Sequence, residues 1–177
     1  GCKKEQKKEV AINESSSKDI VSTIIEEEDS FYHIDFKNYP SSDNSLPIGV
    51  FDSGTGGLTV LKAIVNYDEN QNGSHEKGGD GELDFNKESF IYLGDQANMP
   101  YGNYSSVDKV DLLNEHIIKD AQFLLGNKYY SNALDATVNT DKQPVKALVI
   151  ACNTATAYGK EYIEEFLAKA NSDIKVI

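Results

Sequence analysis

Cys152 stands where an apolar run meets a polar one, in ALVIACNTATA. Asp52 and Ser53 stand at the same kind of junction, in PIGVFDSGTGGLTVLK. An unperturbed thiol ionises near pH 8.5, and a helix N-terminus favours the thiolate, which is the form that removes protons or attacks carbon. Asn153 and Thr154 follow directly, and with the open amides of a first helical turn they suit a carboxylate. The competing reading of Cys152 is a small buried core residue. The Asn-Thr-Ala-Thr run after it argues for a polar loop position instead. Asp52 and Ser53 also admit two readings. Either they cap the following helix, or they turn a carboxylate and a hydroxyl toward a ligand. A phosphate loop would need Lys where Leu58 stands, and a dinucleotide fingerprint would need Gly where Thr59 stands. An aspartic-protease reading of Asp-Ser-Gly-Thr requires an all-β fold, whereas helical spacing follows here. A third polar segment, GDQANMPYGNYS, contains Asp95 and Pro100-Tyr101-Gly102. It is either an ordinary turn or a phenol and backbone amides presented to a small anion.

These three segments need a frame that brings them together. The pattern predicts strand 48–52, helix 57–66, strand 89–93, and a helix over about 107–126 opened by a Ser105/Asp108 capping box. Strand 146–151, a helix over about 154–170 and a strand beginning in DIKVI follow. Buried Val/Ile-rich strands alternating with amphipathic helices predict an α/β fold, a mostly parallel sheet with helices on both faces. Ligands of such sheets sit beyond the carboxyl ends of the strands, where all three segments fall. Residues 1–46 are expected to be a disordered or tether-like tail, with a short helix within DIVSTIIEEED, and residues 47–177 the domain. Polar inserts are expected at 67–88 and 127–144.

The chain has 177 residues, enough for one domain with a core. Its net charge of −12 argues against a nucleic-acid partner, which needs clustered Lys and Arg. No stretch reaches the roughly 18 apolar residues that span a membrane. The two cysteines, Cys2 and Cys152, show no disulfide spacing and make no zinc site. His33, His75 and His116 are scattered and read as surface or structural residues, so no metal is expected.

Taken in order, IGVFDSGTGGLTVLK, YLGDQANMPYG and ALVIACNTATA resemble the amino-terminal half of glutamate racemase, of the aspartate/glutamate racemase superfamily. The resemblance covers about 48–66, 89–126 and 145–177. It implies a first domain of two similar α/β domains, with glutamate between them. It also implies racemisation without cofactor or metal, D-glutamate for peptidoglycan, and a possible homodimer. Cys152 would be one of two proton-transferring cysteines, assisted by Asp52. Ser53, Tyr101, Gly102, Asn153 and Thr154 would bind substrate.

Two features depart from that pattern. The family's second cysteine lies in its carboxyl-terminal half, and Cys2, in a polar tail, is no substitute; a truncated chain is the expectation. The Gly-Cys-Lys-Lys start resembles a processed bacterial lipoprotein, with Cys2 lipidated and tethering the domain to the envelope. The alternative location is the cytoplasm. The alternative function is an amino-acid-binding envelope domain, or an inactive fragment, without chemistry.

Overall fold

The computed structural model describes residues 19–177. Cys2 and the proposed lipidation lie outside them. The elements are α1 (Ile20–Glu26), a 3₁₀ turn (Phe36–Asn38), β1 (Ile48–Asp52), α2 (Leu58–Val65), β2 (Phe90–Gly94), α3 (Asn103–Ser106), α4 (Val110–Leu125), β3 (Ala147–Ile150), α5 (Asn153–Lys169) and β4 (Lys175–Val176). The four strands form one parallel sheet in the order β2-β1-β3-β4, so the expected α/β class holds.

Topology decides where the helices go. From β1 the chain steps one way to β2, then returns across β1 to β3 and continues to β4. Right-handed crossovers therefore put α2 on one face and α4 with α5 on the other. Direction reverses between β1 and β3, which makes the crevice at their carboxyl ends the switch point. Register aligns those ends: Asp52 pairs with Gly94, and Phe51 with Ile150.

The core lies on the α4/α5 face. Leu113, Ile117, Ile118, Ala121, Leu124 and Leu125 recur at helical spacing on α4, and all are buried. Each large one contributes roughly 1.5–3 kcal/mol on leaving water. Gly49 on β1 lets α4 close onto the sheet, because a Cβ there would meet Leu124 Cδ1 and Val145 Cγ1 at 3.2 Å. On the other face α2 has no buried residue, and Leu58 is 47% exposed.

Two expectations are corrected. The tail does not run to residue 46, because residues 19–46 are ordered against the core. Asp19 caps α1 by accepting from Val21 N at 3.4 Å, and Ile24 is fully buried. Tyr39 donates to Val145 O at 2.7 Å, and Gln122 donates to Tyr32 O at 3.0 Å. The apolar face of Ile20, Val21, Ile24 and Ile25 supplies the burial that the surrounding acidic residues conceal. The capping box is not formed either. Asp108 adopts φ +55, which interrupts the helix, and Ser105 Oγ bonds back to Gly102 O. A short α3 and a separate α4 replace the single helix.

The 67–88 and 127–144 segments carry only isolated bridges, Asn70 with Lys77 and Tyr129 with Asn139. They enter β2 and β3 at their amino ends, the sheet edge opposite the switch point.

Candidate active site at the carboxyl ends of the strands

β1 carries Asp52 to the switch point, and the chain then turns sharply through Ser53 to Gly57 into α2. Asp52 is 7% exposed, and its Oδ2 accepts from Gly57 N at 2.9 Å. The capping and the ligand-facing readings of this residue are compatible: one oxygen closes the turn, and the Tyr92 phenol lies within hydrogen-bonding reach of the carboxylate. Gly57 has no room for a side chain, since a Cβ would stand 2.7 Å from Asp52 Cβ and 2.8 Å from Ala151 Cβ. These neighbours are fixed to backbone, so they do not swing aside. Gly57→Ala is expected to destabilise the domain by about 1–3 kcal/mol through overpacking, measured as a lower melting temperature. At φ −63 the backbone itself is unstrained, so the effect is steric alone. An unchanged melting temperature would show that the β1 and β3 ends yield freely.

β3 delivers Cys152 as the N-cap residue of α5. Its Sγ accepts from Ala155 N at 3.5 Å and lies 3.5 Å from Ser53 Oγ. The thiol is 7% exposed, and Thr156 Oγ1 donates to its carbonyl at 2.9 Å. Asn153 and Thr154 occupy the first turn of α5, exposed and half-buried. The fold therefore places Asp52, Ser53, Cys152, Asn153 and Thr154 at the adjacent carboxyl ends of β1 and β3.

The Gly94–Tyr104 segment borders the same edge. Asp95 N donates to Asp52 O at 2.9 Å, and Gly94 sits against Gly54 O, which a Cβ would approach to 2.6 Å. Here one expectation changes. The Tyr101 phenol points inward, 1% exposed, with Oη 2.6 Å from Asp95 Oδ2 and 2.6 Å from Asp120 Oδ2. Its hydroxyl is occupied inside the fold and its carbonyl accepts from Tyr104 N at 3.2 Å, so of this pair only exposed Gly102 is left to meet a ligand. Gly102 itself is exposed, with nothing near its missing Cβ.

Tyr92 escaped sequence reading. It sits on β2 and donates to Gly54 O at 2.9 Å, pinning the glycine turn. Burial, then the negative charges of Asp52 and Cys152, push its phenol above the ordinary value. The signal was available in principle: FIYLG places Tyr92 level with Val50, two residues before the strand end.

The chain is 34% identical over 122 residues to the glutamate racemase of Lactobacillus johnsonii, covering 69% of the chain and 32% of that relative. It is 36% identical over 132 residues to that of Clostridium novyi, covering 75% and 35%. It is 35% identical over 115 residues to that of Thermus thermophilus, covering 65% and 30%. The chain is a partial relative of the glutamate racemases. It spans about a third of the length of the glutamate racemases it matches. No family model matches it. The four-stranded parallel sheet flanked by helices is consistent with a domain of a glutamate racemase.

Proposed function

We propose that this chain supplies one proton-transferring half of a glutamate racemase, with Cys152 as the base. The observation that carries the reading is the meeting of Cys152 Sγ and Ser53 Oγ, 3.5 Å apart, at the switch point beside buried Asp52. In this reading the thiolate removes the α-proton, forming an S–H bond, and the C–H electron pair delocalises into the substrate carboxylate. Donors aimed at that carboxylate are then needed most, because the charge grows there as the proton leaves. The backbone amides of Gly102, Asn153 and Thr154, with the Ser53 hydroxyl, suit the task. The oxygen of Asp52 not bonded to Gly57 suits the substrate ammonium. No step asks for a cofactor or a metal.

Inversion also needs an acid on the opposite face of the carbanion. Cys152 is the one cysteine among the described residues. This chain alone is therefore expected to exchange the α-proton of one enantiomer and return it to the same face. The test is incubation of L- and D-glutamate with the folded chain in D2O, followed by NMR of the α-position. Deuterium uptake from one enantiomer supports the reading. Glutamate binding without uptake would favour an amino-acid-binding domain that does no chemistry.

A further inference from the structure

Tyr101 has one hydroxyl proton but two carboxyl neighbours, each 2.6 Å from its oxygen. Two anionic carboxylates cannot both be satisfied by one O–H, so a second proton must reside in this trio. The surroundings say where. Both oxygens of Asp95 accept from Asn98 Nδ2, at 2.9 and 3.0 Å, the environment of an ionised acceptor. Asp120 is 8% exposed on α4, and its carboxyl meets the Tyr101 hydroxyl. We propose that Asp120 is a positioning residue: its carboxylic acid donates to Tyr101 Oη, Tyr101 donates to Asp95, and this chain of bonds fixes the loop that presents Gly102 at the carboxyl ends of the strands.

The same loop is held at its other points by weaker means. Tyr104 donates to Asn98 O at 3.1 Å and stacks edge-on against Tyr101 and against His116 of α4. Burial, with the charge of Asp95 adding to it, pushes the Asp120 carboxyl up to about 7, against the lowering effect of the Tyr101 hydrogen bond. Asp95 and Tyr101 are the ionisable groups that bear on it; none comes from α1, α3, α5, β1 or β2, which also pack against α4. Ionising Asp120 removes the donor and sets two carboxylates on one hydroxyl. The direction follows: Asp120 binds its proton more tightly folded than unfolded, so its contribution weakens as pH rises from about 4 to about 7.

The inference rests on the proposed function only for what the loop presents; the bond chain itself is tested without activity. The first measurement is the carboxyl 13C shift of Asp120 against pH, with the expected midpoint near 7. The second is amide hydrogen exchange over residues 94–104 at about pH 5.5 and 8.5, corrected for intrinsic rates, in wild type, Asp120→Asn and Asp120→Leu. Wild type should lose about fivefold of its protection at the higher pH. Asp120→Asn keeps a donor at every pH and should stay flat, whereas Asp120→Leu should be unprotected at both. If the chain exchanges glutamate, KM should rise over the same range in wild type with kcat unchanged, and not in Asp120→Asn. An Asp120 midpoint below about 5, or Asn and wild-type loops with the same pH dependence, would overturn the inference. Absence of glutamate exchange with the loop behaviour intact would overturn the proposed function and leave this one standing.

Discussion

A Cys152→Ser variant is expected to lose α-proton exchange on glutamate by at least about 10³-fold while remaining folded. The geometry makes serine the informative replacement. An oxygen can still accept from Ala155 N and lie beside Ser53 Oγ, so the N-cap of α5 and the packing around it are kept. What changes is acidity. A serine hydroxyl is far too weak an acid to ionise near neutrality, so there is no base to take the proton. Alanine would remove the base as well, but it also opens a small void at a site 7% exposed, mixing stability into the result. Comparing the two variants separates these effects: both should lose exchange, and only alanine should lower the melting temperature appreciably. Exchange by the serine variant within tenfold of wild type would remove Cys152 from the chemistry.

The second large effect concerns the α4/α5 contact, far from any reacting atom. Gly159→Ala is expected to destabilise the domain even though alanine is the better helix former by about 1 kcal/mol. A Cβ at 159 would stand 2.5 Å from Ile117 Cγ2, 2.7 Å from its Cδ1 and 3.1 Å from its Cβ. Cδ1 can rotate away, but Cβ is bound to the α4 backbone, so the helices must separate. Overpacking of this kind costs about 1–3 kcal/mol, outweighing the propensity gain. For a domain of this size that lowers the melting temperature by roughly 2–4 °C for each net kcal/mol. Ile117→Ala alone should cost about 2–5 kcal/mol, because Ile117 is fully buried. In the double variant the new methyl enters the space that Ile117 vacates. The pair should therefore be more stable than the sum of the singles by more than about 1 kcal/mol. Strict additivity would mean that α5 slides on α4 without resistance.

The frame of the site was legible because its signals are local. A strand ending in Asp52, another ending at Gly94 and a third leading into Cys152 each show an apolar run broken by reactive or glycine residues. Parallel pairing then aligns the three ends without further information. What was not legible depends on partners distant in sequence. Asp120 reads as one charged residue on a helix, and only the fold sets it against Tyr101. The inward turn of the Tyr101 phenol follows from that meeting. The order of residues 19–46 depends on Ile24 finding the core and on Tyr39 reaching Val145, 106 positions away. The failed capping box is a local error of a different kind. Ser105 and Asp108 have the right spacing, but Asp108 accepts the left-handed conformation more readily than most residues, and there it ends a turn instead of opening a helix.

The two polar segments at 67–88 and 127–144 grow from the amino ends of β2 and β3, with the whole depth of the sheet between them and the crevice. Closing a longer loop adds little to the cost of folding. Length is therefore nearly free on that rim. An affinity tag or a fluorophore spliced in at residues 73–81 should ride on the domain as a passenger, giving a handle for immobilisation or single-molecule work that leaves the opposite rim open to solution.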